Sequence, residues 1–433
     1  MSIREIIRDR RDGKTHSYSQ FEELAKACGD GSAKDYQLSA WLMAAYLNPL
    51  SEQETADLTL ALARSGATLD LSCLPKPHID KHSTGGVGDK TSIALLPILA
   101  ACGATMVKIS GRGLGITGGT VDKLAAIPGF STDLSPEQMI SQASRIGIAL
   151  SGQTPDLAPA DKVLYALRDA TETVGSIPLM VASILCKKVA VGAETIVLDV
   201  KCGSGAYMKD LQQAEKLAKA LRETGSRLGL TIRIAITDME SPLGYAVGNA
   251  LEVQEALATL KGEAAGRFPE LVHRLGAVAL EASGLAESPE AGREMVKEAV
   301  ASGRAAEKAR QWIEAQGGDP GVLDDFTLLP KAPFANEIVS ARDGWVESIN
   351  AEKIGEAAVN LGAGRKTKED RLDLGAGIGL KVEPGSQVVR GQPLAVVYGS
   401  DQAIVEGQAD SLAQAFRLSD ACVSPGPLVK AVY

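Results

Sequence analysis

Four histidines are all that 433 residues carry, and they do not cluster. The six cysteines (Cys28, Cys73, Cys102, Cys186, Cys202 and Cys422) are scattered, with no C-x-x-C pair. A structural zinc site draws on such clusters, so none is expected; reduced thiols in a cytosolic chain are. No lysine–arginine block stands out, and the net charge is −9. Both argue against nucleic acid or an anionic membrane as a partner, though a local basic pocket for a small anion stays open. No apolar run approaches ~18 residues without a charge or polar break, so no membrane span is expected. The opening residues, MSIREIIRDRRDGK, are charged from Arg4 onward and hold no h-region, so no signal peptide is expected. Repeats and low-complexity segments are absent too. What is there is 45% hydrophobic and 23% charged, an ordinary globular balance, at a length that predicts two or three domains.

The first 70 residues read as helices. Leu38, Leu42 and Ala45 recur at helical spacing, and Ser51 with Glu54 forms a capping box ahead of a helix that Gly66 ends. From about residue 77 the pattern changes. "ATMVKIS", "AETIVLDV" and "TIRIAITDM" read as strands, each followed by a loop or helix, which implies a largely parallel sheet covered by helices. A ligand is then expected at the carboxyl ends of the strands. Glycine-rich loops at 83–88, 111–119 and 203–205 follow candidate strands or open helices. Residues 160–195 turn helical again and read as a return to the first domain, with a cleft between it and the sheet. A Gly/Pro-rich boundary at 317–336 precedes short strands and turns. The fold class is therefore α/β: a small helical domain (1–70 and 160–195), a large α/β domain with a mostly parallel mixed sheet (75–155 and 196–330), and a C-terminal α+β domain (340–433).

The loop "KHSTGGVGDKTS" (81–92) concentrates glycines, lysines and hydroxyls. Backbone N–H groups of such a loop at a helix N-terminus bind anions, and Lys81, Ser83 and Ser92 add charge and donors. It is not a nucleotide P-loop, because Lys90 follows Asp89 and not glycine. "SGRGLGITGGT" holds a G-x-G-x-x-G at Gly113, Gly115 and Gly118, with Asp133 twenty residues beyond the first glycine, as in a dinucleotide fold. Its place after a helical domain and an earlier strand–loop unit favours instead a second wall of the same anion site, with Ser110 and Thr120 supplying hydroxyls. Ser183 and Lys187 are four apart, on one helical face near Arg168.

These stretches together resemble the thymidine and pyrimidine-nucleoside phosphorylase family. "KHSTGGVGDK" and "SGRGLGITGGTVDK" are similar to its paired signatures, and "LYALRDATETVGSIPLMVASILCKK" to its pyrimidine-binding segment. "GYAVGNALEVQEA" and "LGAGRKTKED" match in place, so the resemblance spans nearly the whole chain. It implies a cytoplasmic homodimer that takes a pyrimidine nucleoside and inorganic phosphate. It places phosphate on Lys81, Ser83, Ser92, Ser110 and Thr120, and the base on Arg168, Ser183 and Lys187, with His82 near its carbonyl edge. No cofactor is required. In some members a monovalent cation, potassium in type, lies at the equivalents of Gly88, Lys90, Leu243, Ala246 and Glu255; here Lys90 brings an ammonium near that place.

The chain departs from the family pattern at Ile116 (histidine in GLGHTGG), Ala125 (glutamate in DKLE) and Gly175 (aspartate in VDSIP). Lys108, two residues before Ser110, matches the broad-specificity members and favours both uridine and thymidine; thymidine-selective members tend to carry methionine. The expected reaction is phosphorolysis of uridine, thymidine or deoxyuridine to free base and α-(deoxy)ribose 1-phosphate. A thymidine-selective phosphorylase, a related phosphoribosyltransferase of the anthranilate type and a catalytically weak nucleoside-binding relative are the other readings.

Overall fold

The computed structural model describes residues 2–113, 115–116, 118–153, 156–367 and 370–433, without the side chain of Asp169. Leu114 and Thr117 of the second glycine loop, and Lys368 and Glu369 of "LGAGRKTKED", therefore lie outside the described residues. Helices α1 (Ile3–Arg11), α2 (Tyr18–Gly29), α3 (Asp35–Leu47) and α4 (Glu52–Ala63) open the chain. The capping box of α4 is present: Ser51 Oγ accepts from Glu54 N at 3.3 Å, and Glu54 Oε2 accepts from Ser51 N at 2.9 Å. Next come β1 (Ile79–Ser83), α5 (Thr91–Ala101), β2 (Met106–Ile109), α6 (Thr120–Leu124), α7 (Pro136–Ile146) and β3 (Ile148–Ser151). Helices α8 (Pro159–Ala170) and α9 (Ile177–Ala190) interrupt the alternation, which β4 (Thr195–Cys202), α10 (Leu211–Arg227), β5 (Thr231–Asp238), β6 (Ala246–Val247) and α11 (Asn249–Leu260) resume.

The apolar packing explains the interruption. Ile6, Phe21, Trp41 and Leu58 of the first helices share one buried cluster with Leu164 of α8 and Leu179 and Cys186 of α9. Residues 158–190 thus fold back onto the opening bundle. In the α/β part, β1, β4 and β5 run parallel, with Ile79 opposite Thr195 and Thr195 opposite Thr231. The parallel pair β2–β3 joins them through a parallel bridge between His78 and Thr105. The carboxyl ends of β1, β2 and β4 therefore share one edge. Helix α5 is buried from Thr91 to Ala100, as a helix apolar on every side from Ile93 onward inside a domain must be.

The terminal segment is β-rich, with helices Ala351–Asn360 and Gln402–Leu412 packed among short antiparallel strands. It is tied to the α/β part twice. β6 pairs with Gly377–Leu380, and Val429–Val432 adds an antiparallel edge to β5, with Val429 opposite Thr237. Among the described residues no helix is long and apolar enough to cross a membrane.

Candidate active site

Alternation along β1 sends Lys81 and Ser83 to one face and Asp80 and His82 to the other. The two faces have different electrostatics. Lys81 is 1% exposed; its Nζ donates to Thr91 Oγ1 and lies 4.0 Å from the carboxylates of Asp89 and Asp199. Burial pulls the Lys81 pKa below its ordinary value, against the two aspartates. Lys201 Nζ stands 2.7 Å from Asp199 Oδ2, and Thr237 Oγ1 donates to the other Asp199 oxygen at 2.5 Å. Burial would raise Asp89, but Lys81, Lys201 and Lys123 outweigh it and hold that carboxyl well below the usual range. An ammonium has three donors, and the Thr91 hydroxyl is the hydrogen-bond partner that Lys81 reaches among the described residues. Two of its donors are thus left without a hydrogen-bond partner among those residues.

Ser83 Oγ accepts from Gly85 N at 3.2 Å at the turn out of β1. Ser92 is the second residue of α5, where backbone N–H groups lack intrahelical partners. Ser110 follows β2, anchored by its N–H to Ser151 O at 2.9 Å, and Thr120 is the first residue of α6. The five residues expected to meet phosphate thus come from the carboxyl ends of two strands and the starts of the helices that follow.

On the other face, His82 is half-buried. Its pKa is held well below the ordinary imidazole value by burial first, then by Lys188, Lys108, Lys187 and Lys81. The neutral imidazole is therefore favoured. Asp80, wholly buried, pairs with Lys188 of α9 at 2.6 Å and with Lys108 of β2 at 3.3 Å. One carboxylate thereby links β1, β2 and α9 across the two domains. Lys108 Nζ also donates to the Lys81 carbonyl, and burial, against Asp80, lowers its pKa to about 7.

Arg168 sits near the end of α8. Its two terminal nitrogens donate to Leu179 O at 3.0 Å and Val174 O at 2.8 Å. Its Nε is buried with no hydrogen-bond partner among the described residues. Lys187 donates to Asp161, to Ser183 O at 2.6 Å and to Ser183 Oγ at 3.2 Å. Burial opposes its charge, but Asp161 prevails and raises the Lys187 pKa. The Tyr165 ring lies 5.9 Å from the Arg168 guanidinium and 6.0 Å from Lys187 Nζ. Asp161, Tyr165, Asp80 and Lys188 were not singled out by sequence. The signal for two of them was present: Asp161, Tyr165 and Arg168 fall at i, i+4 and i+7, one face of α8.

The positions assigned by resemblance to a cation also converge. Lys90 Nζ lies 2.5 Å from Leu243 O, 3.1 Å from Ala246 O and 2.6 Å from Glu255 Oε2. A Cβ on Gly88 (φ +75°) would come within 2.9 Å of the Leu243 oxygen and 3.1 Å of the Ala246 oxygen. The residues that the family pattern gives to an ion here face the chain's own ammonium, so they do not fit an added ion while Lys90 stands among them.

The loop at 111–119 is gripped by the terminal segment. Gly115 N donates to Arg365 O at 3.0 Å, Arg365 pairs with Asp122 at 2.8 Å, and Asp122 accepts from Gly113 N at 2.6 Å. Ile116 packs where a Cβ on Gly355 would come within 2.9 Å of its own Cβ. Ala125 is the exposed C-cap of α6, and a Cβ on Gly175 would stand 3.8 Å from the Tyr46 ring. The dinucleotide reading of Gly113, Gly115 and Gly118 fails here, because the helix that follows has five residues and Asp133 lies in the loop before α7. The third glycine loop serves packing: Cβ atoms on Gly203 and Gly205 would both run into Met239.

Comparison with known proteins shows the family of the chain. Three family models cover the chain: "Glycosyl transferase family, helical bundle domain" over residues 4–66, "Glycosyl transferase family, a/b domain" over 75–306, and "Pyrimidine nucleoside phosphorylase C-terminal domain" over 345–419. The architecture is that of a pentosyltransferase. The pyrimidine-nucleoside phosphorylase of Geobacillus stearothermophilus is 44% identical over 99% of both chains. That of Bacillus subtilis (strain 168) is 44% identical over 94% of both, and that of Staphylococcus aureus (strain N315) 43% identical over 98% of both. The chain belongs to the thymidine/pyrimidine-nucleoside phosphorylase family. A solved anthranilate phosphoribosyltransferase from Thermus thermophilus shares the fold at a TM-score of 0.60 and 19% identity, covering 72% of this chain and 99% of that one.

Proposed function

We propose that the protein catalyses reversible phosphorolysis of pyrimidine nucleosides, uridine, thymidine and deoxyuridine among them. The observation that carries this reading is the contrast between the two sides of β1. One side holds a buried lysine with unfilled donors beneath the N-terminus of α5. The other leads through a neutral His82 to fixed cationic donors on α8 and α9.

Phosphate bound by Lys81, Ser83, Ser92, Ser110 and Thr120 attacks C1′ of the nucleoside. The new O–C1′ bond forms as the C1′–N bond breaks, and the electron pair leaves with the base. The product is an α-sugar 1-phosphate with inversion. Arg168 and Lys187 stabilise the charge that develops on the base, and their always-donor chemistry suits carbonyl and anionic nitrogen acceptors. Neutral His82 adds a hydrogen bond without adding charge. Cytosine presents an amino donor at C4 and is rejected, because that contact would leave donors facing each other. Cleft closure brings the nucleophile and the base side together.

The test is purified protein with phosphate and each nucleoside, followed by chromatography of base and sugar phosphate. Phosphate-dependent base release is expected with uridine and thymidine; no release from either at any phosphate concentration overturns the reading. Lys108 favours broad acceptance. A thymidine-selective protein would show uridine turnover reduced by orders of magnitude in the same assay.

We also place the protein in the cytoplasm as a homodimer. Tyr36, Met43, Tyr46 and Leu47 of α3 stay 74%, 39%, 42% and 68% exposed, an apolar stripe at helical spacing that a second copy would cover. Light scattering reporting a monomer at micromolar concentration would remove the dimer. All six cysteines are unpaired, in keeping with a reducing compartment.

A further inference from the structure

We propose that the Lys90 ammonium is a built-in replacement for a monovalent cation, so that the protein needs no potassium to hold its phosphate loop. The proposal concerns the support of the site read above as a phosphorylase centre, and its first readout does not depend on catalysis.

The coordination of Lys90 is complete. Three oxygens, from Leu243, Ala246 and Glu255, lie 2.5, 3.1 and 2.6 Å from Nζ, and an ammonium has three N–H donors. The Phe268 ring closes another side, its centre 4.8 Å away. The Lys90 side chain is 0% exposed. The oxygens are held for a cation independently of Lys90: Glu255 accepts from Tyr245 N at 2.9 Å and Ala246 N at 2.8 Å, which fixes carboxylate and turn together. Ammonium and potassium are of similar size and seek the same oxygen ligands. The lysine carries its charge on a tether, and the entropy of capturing a free ion is not lost.

The tether has a structural consequence. Lys90 is the residue before α5, and its N–H donates to Gly88 O at 3.1 Å. Its pairing with Glu255 of α11 fixes where Thr91 and Ser92 begin the helix. Lys123 of α6, the helix that follows the second glycine loop, repeats the device one turn earlier on α11, reaching Glu252 at 2.6 Å and Asp89 O at 2.6 Å. Two internal cations thereby pin both loops to one helix face.

The experiment compares thermal unfolding of the full chain, dialysed free of potassium, in potassium chloride and in choline chloride at equal ionic strength. The wild-type midpoints are expected to coincide within about 1 °C, since a salt that binds no site adds no mass-action stabilisation. A saturable, potassium-specific rise for the wild type overturns the proposal. Lys90→Thr, which leaves a hydroxyl and a gap, is expected to melt lower in choline and to recover saturably with potassium. A folded Lys90→Thr indifferent to potassium also overturns it. Should that variant not fold, the wild-type comparison still decides. Base release in the same two salts is the second readout: equal rates are expected, and a potassium-dependent rate in the wild type counts against the proposal. If no phosphorolysis occurs at all, the functional reading fails while the melting comparison stands.

Discussion

Lys81 on β1 and Lys90 at the start of α5 are nine residues apart, and both are almost wholly buried, yet they are finished to different degrees. Lys90 has an oxygen for each of its protons. Lys81 has one hydroxyl and two carboxylates held back at 4.0 Å, and its pKa is depressed accordingly. A buried charge whose partners are complete is structure. One whose partners fall short is stabilised when an anion arrives, and that difference is why Lys81 is proposed as a binding group. Burial alone does not separate the two roles; satisfaction of the donors does.

The largest expected effect breaks the finished side. Lys90→Met leaves Glu255 and two carbonyls facing an apolar tip, and truncating one partner of a buried pair costs about 3–5 kcal/mol. The first unfolding transition in urea should move down by that amount. An unchanged midpoint would mean that Lys90 is no more structural than Lys81.

Lys81→Ala attacks the unfinished side. The stability loss should be smaller than for Lys90→Met, because the carboxylates stand back at 4.0 Å and Lys201 remains beside Asp199, while kcat/KM for phosphate falls about 10²–10³-fold, or ~2.7–4 kcal/mol. Phosphate kinetics identical to wild type would remove Lys81 from the site and dissolve the contrast. Asp161→Asn carries the comparison to the base side, where Lys187 has three oxygen partners as Lys90 does but stays 16% exposed beside the exposed Tyr165. Losing a charge-assisted contact costs about 1.5–3 kcal/mol. It should appear in kcat/KM for uridine, with the KM for phosphate unmoved. A rise in phosphate KM instead would show that the two sides of β1 are not separable.

How much of this was legible follows from which features leave a local trace. Glycine, lysine and hydroxyl density marked residues 81–92 as the candidate phosphate loop, and 3.6-residue spacing put Ser183 beside Lys187. Period and capping found α4 and α5 and the strands β2, β4 and β5. Asp80 could not be read, because a lone aspartate in a strand has no pattern; its role comes from Lys108 and Lys188, which tertiary folding brings to it. The return of Val429–Val432 to β5 was illegible for a similar reason: an edge pairing across nearly two hundred residues has no local signal. Lys90 was seen as an intruder at a cation position, and only the distances to Leu243, Ala246 and Glu255 turn it into the cation itself.

Lys108 gives the most gradual effect, smallest within any one pH unit, and it tests whether a lysine can lie between the two extremes. Its folded pKa is about 7, against an ordinary 10.5, because burial outweighs the help of Asp80. The folded chain therefore releases this proton more readily than the unfolded chain does. Between pH 7 and 10.5 the unfolded state binds more protons, so this group makes stability rise with pH, by at most about 1.4 kcal/mol per pH unit. Below pH 7 both states hold the proton and the penalty is constant. Lys108→Met removes the titration along with a partner of Asp80, and the second loss does not depend on this proton. The difference in unfolding free energy between variant and wild type should therefore be flat below pH 7 and shift steadily toward the wild type as pH climbs to 10.5. Urea titrations at pH 6, 8 and 9.5 measure it. A difference that stays constant across that range would show that Lys108 keeps its proton, completed by Asp80 and the Lys81 carbonyl, and belongs on the finished side of the comparison.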